Sequence, residues 1–313
     1  MGLLDLFRRD ASPRGRRPKR EQQQLFDDEF QRKLEMLALV SRRVFAGRLR
    51  AERRSKKKGS GIEFADHRDY VAGDDFRSVD WNVYQRFGKL LVRLYEEEED
   101  LSIYLIVDCS SSMAFGDKKK FDQARRLCAA LAYVGLANLD RVTVVAVNDG
   151  VVSRMPTTRG KGRIFKVFEF LSALEPGGVT DLANALKTFV AQHKRRGLAV
   201  LFSDMYDPAG FEAGINMLRF NKFEPYVVEL VDPAEARPAL KGDVRIYDCE
   251  TGEERELTIT DGMLDKMQRA VSDYRAGIER FCAQKQVPYF PADVNTPFDE
   301  LVLRVFRRGG FLR

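Results

Sequence analysis

Five oxygen-bearing side chains stand where one sheet rim could gather them. Residues 101–116 read LSIYLIVDCSSSMAFG, an apolar run from Ile103 to Val107 that ends in Asp108, Ser110, Ser111 and Ser112. Such a run reads as a buried strand. Asp108 and the serines are then the first residues beyond its carboxyl end, where ligands sit in an open parallel sheet. A second apolar run, LAVLFSD at 198–204, ends in Ser203 and Asp204. Thr180, in PGGVTDLANAL, follows a double glycine and is expected to cap a helix on the same rim. Asp108, Ser110, Ser112, Thr180 and Asp204 would form a set of hard oxygen donors carrying two charges. Mg²⁺ suits such a set, being held by one or two carboxylates with neutral oxygens and water. With few acids around it, the ion would keep an open position fit for a carboxylate from another molecule. The plainer alternative is that Ser and Thr cap helices and that Asp204 caps a loop.

Composition narrows the chemistry. His67 and His193 are the only histidines in 313 residues, which argues against a multi-histidine metal site or a histidine-rich catalytic centre. Cys109, Cys128, Cys249 and Cys282 lack the close spacing of a zinc or redox motif, and buried thiols in a reducing compartment are expected. No run approaches the roughly 18 apolar residues of a membrane span. The start, MGLLDLFRRD, does not read as a secretory signal, and Leu6 stands where a myristoylation signal needs Ser or Thr. A cytoplasmic location is expected. The net charge of +6 is uneven, with 18 basic and 8 acidic residues in 1–59 against 35 and 39 in the rest. A basic leader could touch anionic lipid weakly. It lacks the interleaved aromatics that stack on bases, so nucleic acid is not an expected partner.

The elements that must position these residues follow from patterning. Residues 1–24 are expected to be a disordered basic leader. Phe26, Phe30, Leu34, Leu37 and Val44 mark a helix, which RRSKKKGSG ends in a basic loop. Residues 62–98 look β-rich, and the acidic run Glu96–Asp100 reads as a solvated edge. From 101 the pattern is α/β. Strands are expected at 101–107, 198–204, 225–231 and in VPYF. Helices are expected near 119–138, 162–173, 180–194, 209–220 and 262–285, and in PFDELVLRVFRR. RVTVVAVNDGVVSRM reads as a hairpin, and 244–259 as a second, inserted one. Short apolar strands alternating with helices imply a doubly wound, mainly parallel α/β sheet of Rossmann type. Three regions are expected: 1–24, 25–98 and 99–313.

Asp108-x-Ser110-x-Ser112, Thr180 and Asp204, in this order, resemble the metal-ion-dependent adhesion site of von Willebrand factor A domains. The segment GSGIEFADHRDYVAGDDFRSVDWNVYQRFGKLLVRLYEEE resembles the signature of the domain of unknown function 58 family. It carries the pattern on Gly61, Glu63, Phe64, Arg68, Tyr70, Gly73, Asp74, Asp75, Arg77, Asp80 and Trp81. Together the resemblances span roughly residues 30–313. Many members of the family carry N-terminal membrane helices; none is read here. The alternation of Asp74, Asp75 and Asp80 with Arg68 and Arg77 around Trp81 suits a partner surface or a buried ion network. Arg forks favour the network. Asp181 and Asp207 suit either hydrogen bonding behind a metal or helix-start and turn chemistry.

The resemblance implies a protein-interaction module with no catalysis of its own, using Mg²⁺ or Mn²⁺. It would work as an adaptor in protein remodelling with a MoxR-type AAA+ ATPase, or on a client bearing an acidic residue. The alternative is a Mg²⁺-dependent phosphohydrolase with Asp108 as nucleophile. Against it, Ser110 stands where a haloacid-dehalogenase-like enzyme carries a second acid. GDKKKFD and TRGKGR do not make a phosphate-binding loop, so the chain is not expected to be the ATPase itself.

Overall fold

A computed structural model describes residues 25–45, 54–59, 63–98, 101–116, 119–236, 238 and 240–308. The basic leader 1–24 and Gly61 lie outside the described residues. The chain divides into two units, one of residues 42–100 and one of the residues up to 41 together with 101–313.

The larger unit is mixed α/β around a six-stranded sheet. Its strands are β4 (Ser102–Asp108), β5 (Arg141–Val147), β6 (Val151–Arg154), β7 (Leu198–Ser203), β8 (Glu224–Val231) and β11 (Tyr289–Asp293). They lie in the order β11-β8-β7-β4-β5-β6, and every pair is parallel except β5 with β6. The order turns back at β4. The chain runs outward through β5 on one side, then returns to start β7 on the other.

Apolar runs that are buried on both faces explain this sheet, because period-two alternation sends successive side chains to opposite sides. On one side Tyr104, Ile106, Val145, Leu201 and Val227 pack with residues of α5 (Leu182–Gln192), α6 (Glu212–Phe220) and α8 (Asp261–Gln284). The alternating set Leu105, Val107, Val144, Val200 and Phe202 is equally buried, and α3 (Lys119–Ala137) lies along β4, β5, β7 and β8. The remaining helices are α1 (Asp28–Phe45), α4 (Ile164–Ala173), the short α7 (Pro233–Ala236) and α9 (Phe298–Arg308). Among the described residues no helix is long and apolar enough to cross a membrane.

The inserted hairpin is β9 (Gly242–Tyr247) and β10 (Glu254–Ile259), a two-stranded sheet of its own. Ile246 and Ile259 are its buried anchors.

The start of α1 belongs with the α/β unit, whereas the sequence reading grouped it with the β-rich segment. Phe26 stacks on Phe168 at 4.7 Å between ring centroids, and Phe30 meets Phe298 at 4.9 Å. Aromatic area buried in this way outweighs proximity along the chain.

The smaller unit is a three-stranded antiparallel sheet ordered β1-β3-β2, with β1 (Arg54–Gly59), β2 (Glu63–Asp69) and β3 (Leu91–Glu98), plus the short helix α2 (Trp81–Phe87). Two expectations are corrected here. Residues 54–59 of the basic stretch form a strand rather than a loop, and Glu96–Glu98 of the acidic run close the sheet's central strand rather than lie on an edge strand. The register sets Arg54 opposite Glu98 and Lys58 opposite Glu96, so a basic stretch pairs with an acidic one. The basic stretch has no apolar alternation of its own.

The signature residues do form a polar network. Asp80 caps α2 by accepting from Asn82 N at 3.0 Å, and its other oxygen meets His67 Nε2 at 3.1 Å. Arg68 Nη2 donates to Asp74 Oδ1 at 2.8 Å, and Asp75 caps the turn at Phe76–Ser78. This network is not buried as expected: Arg68 and Asp74 are partly exposed, and Trp81 is 49% exposed. The backbone amides at the start of α2 need a cap, and a surface carboxylate supplies one without a buried ring.

Two predictions follow from packing. Trp81→Ala should change stability by about 1 kcal/mol or less, as surface substitutions do; chemical denaturation measures it. Gly197→Ala should be far worse, because a Cβ there would lie 2.0 Å from the Ser102 carbonyl oxygen at the start of the β4–β7 pairing. A loss of about 1–3 kcal/mol or more is expected in urea unfolding.

Candidate functional site

Parallel pairing of β4 with β7 sets their carboxyl ends side by side, so Asp108 and the pair Ser203–Asp204 share one rim. Asp108 is fully buried. Its Oδ1 accepts from Ser110 N at 2.9 Å, and its Oδ2 accepts from Ser203 Oγ at 2.6 Å. Ser203 Oγ in turn accepts from Met205 N at 2.9 Å. Met205 holds φ at +63°, a left-handed backbone rare outside glycine, and Tyr274 Oη donates to its carbonyl at 2.6 Å. Ser110 Oγ and Ser112 Oγ lie 3.0 Å apart, both buried.

The double glycine brings the third loop in. Gly177 N donates to the Cys109 carbonyl at 2.7 Å, and Ser111 N donates to the Gly178 carbonyl at 3.1 Å. Gly178 needs its φ of +87°, and a Cβ there would come within 2.7 Å of Asn148 Nδ2. Thr180 thus reaches the rim, although Asp181 and not Thr180 is the N-cap of α5, accepting from Asn184 N at 2.8 Å. Asp207 also serves that helix start, accepting from Leu182 N at 2.8 Å while its other oxygen closes a turn with Ala209 N. For Asp181 and Asp207 the structure therefore shows helix-start and turn chemistry.

All five candidate residues stand on this rim, but they are not all joined. Asp108, Ser110, Ser112 and Ser203 form one bonded group. Asp204 Oδ2 instead accepts from Lys120 Nζ at 2.7 Å, and Lys120 also bonds Glu235. Thr180 donates to Glu250, from its hydroxyl at 2.6 Å and from its backbone N–H at 3.0 Å.

Lys120, Glu235 and Glu250 escaped the sequence reading. Lys120 had a signal: it shares a helical stripe with Ala124, Leu127 and Leu131, all buried, and so points inward. Its partner Glu235, on α7, and Glu250, in the turn of the hairpin insertion, carry no local mark.

Charge is unevenly compensated. Burial pulls the Lys120 ammonium down, but the charges and hydrogen bonds of Asp204 and Glu235 outweigh it and hold the group above its ordinary value. Asp108 has no such partner among the described residues. Burial and the nearby charge of Asp204 push its carboxyl up to about 7. No three His, Cys, Asp or Glu side chains among the described residues gather as a metal cluster. Any cation here would rest on hydroxyl oxygens and one uncompensated acid, a combination that suits Mg²⁺.

Lys120→Met should destabilise by about 3–5 kcal/mol, because it strands Asp204 and Glu235 as buried charges. Urea unfolding in the presence of EDTA measures that loss with no divalent ion to mask it.

The comparisons with known proteins agree with the signature segment. A family described as "Protein of unknown function DUF58" matches residues 66–277. Uncharacterized proteins of Mycobacterium tuberculosis and Mycobacterium bovis are each 29% identical over 252 residues, covering 79% of this chain and 79% of theirs. Among solved structures, the conserved hypothetical protein BatB from Bacteroides thetaiotaomicron aligns with 67% of this chain and 98% of its own at 13% identity and a TM-score of 0.41. An aerotolerance-related membrane protein from Bacteroides fragilis aligns with 66% of this chain and 98% of its own at 15% identity and a TM-score of 0.39. With the family match spanning most of the larger unit's sheet and part of the smaller unit, the chain belongs to the DUF58 family.

Proposed function

We propose that the rim is a metal-ion-dependent adhesion site on a doubly wound, von Willebrand factor A-like domain, and that the protein is a metal-dependent interaction module rather than an enzyme. One observation carries the reading: Asp108, fully buried and with no cationic side chain paired to it among the described residues, stands beside two hydroxyls 3.0 Å apart at the turning point of a parallel sheet. A buried carboxylate normally has a cationic partner. Asp108, Ser110, Ser112 and Thr180 would hold Mg²⁺ or Mn²⁺, and Asp204 would support it from behind. When bound, the ion supplies an electrophilic position for an acidic side chain of a partner.

The chain's own part is to hold the donors still. Ser203 fixes one oxygen of Asp108, and the Ser110 amide fixes the other. β4 and β7 keep the loops at constant spacing. Lys120 neutralises Asp204, so that the two acids do not repel at full strength when no ion is bound. The partner is proposed to be a MoxR-type AAA+ ATPase or one of its acidic clients, with this chain as a cytoplasmic adaptor.

Asp108→Ala is the direct test. It should abolish Mn²⁺ binding in calorimetric titration and leave the unfolding midpoint near or above that of the wild type, because a buried, uncompensated carboxyl is removed. Equal Mn²⁺ affinity in both proteins would refute the site. Turnover of a phosphate ester that vanishes in Asp108→Ala would favour the phosphohydrolase instead.

A further inference from the structure

The turn between β9 and β10 reaches the rim with a carboxylate of its own. Glu250 takes both donors of Thr180, with Oε1 on the hydroxyl at 2.6 Å and Oε2 on the backbone N–H at 3.0 Å. The turn is shaped to present it. Asp248 Oδ1 accepts from Glu250 N at 2.8 Å and from Thr251 N at 2.9 Å, and Gly252 closes the turn with φ at +75° and its N–H on the Asp248 carbonyl. The carboxylate is therefore aimed, on a turn that Asp248 holds through the N–H groups of Glu250, Thr251 and Gly252.

The support behind it is light. Among the described residues β9 and β10 pair only with each other, and apart from the buried anchors Ile246 and Ile259 most of their side chains are exposed. Groups that must orient a site permanently sit on rigid, packed elements. Ser203, which orients Asp108, is one: it ends a central strand. Glu250 stands on an exposed two-stranded insertion, a place suited to a group that leaves.

We propose that Glu250 is a chain-borne competitor for the adhesion site: it occupies the Thr180 corner that the acidic side chain of a partner would take, and the partner must displace the hairpin to bind. The inference rests on the metal-site reading above and adds its regulation. Anything that pulls the β9–β10 hairpin away would open the site, and anything that seats it would close it.

The test uses the full chain, Mn²⁺ as the ion and N-acetylglutamate α-amide as the probe, since its one carboxylate is that of a glutamate side chain. Water-proton relaxation reports Mn²⁺ binding, and then the loss of bound water as the probe enters. The proteins are wild type, Glu250→Ala and Asp108→Ala, and circular dichroism checks that each is folded. Glu250→Ala is expected to bind Mn²⁺ as the wild type does and to take the probe at about tenfold lower concentration, the effect of losing two charge-assisted hydrogen bonds that opposed it. Asp108→Ala is expected to bind no Mn²⁺. Equal probe response in wild type and Glu250→Ala, including none in either, would overturn the competitor while leaving the metal site standing. Weaker Mn²⁺ binding in Glu250→Ala would overturn it too, because Glu250 would then serve the ion. Absence of Mn²⁺ binding by the wild type would refute the metal site itself, and the competitor with it.

Discussion

The pairing of β4 with β7 is the constraint on which everything else depends. Each strand is too apolar to lie anywhere but inside; β4 ends in Asp108, and β7 runs straight into Asp204. In-register parallel pairing leaves the two acids no choice but to end on one rim. Helices over both faces then bury that rim's floor, so Asp108 and Asp204 are held close in a poorly hydrated place. The hydrogen bond from Ser203 to Asp108 and the ion pair of Lys120 with Asp204 offset that forced proximity. Two like charges in low dielectric require compensation, and the fold supplies it unequally.

Compensation from within the chain has a geometric cost. Lys120 can reach Asp204 only because α3 begins just after the serine loop, with its first turn facing inward. Glu235 then keeps the ammonium from being left with a single partner. The left-handed backbone of Met205 belongs to the same economy of space. It turns the chain sharply after Asp204 and returns its amide to Ser203. Strained backbone of this kind collects at functional sites, where packing over-determines it.

Much of this could be read from the sequence, for identifiable reasons. The central strands are long apolar runs ending in polar clusters, and their helices carry period-3.6 stripes, so element type and the rim were visible in residues such as Ile103–Asp108 and Leu198–Asp204. What escaped depended on partners distant in sequence. No apolar alternation marks β1, and its pairing with β3 is seen only in the folded chain. The charges around Trp81 suit a buried ion network, yet the ring sits at the exposed start of a helix capped by Asp80. Glu250 lies 70 residues from Thr180, so only the folded chain reveals their contact.

One consequence of the Lys120 ion pair concerns how long an ion would stay. With Asp204 already matched by an ammonium and Glu250 engaged by Thr180, the strand-end loops themselves offer a visiting divalent cation a single unmatched acid, Asp108. Affinity for hard cations rises with the number of charged ligands and with the rigidity of the cage. A site of one charge and several hydroxyls is a shallow well. Its cation would exchange with the surrounding solution, and occupancy would follow the ambient supply of Mg²⁺ instead of being fixed at folding.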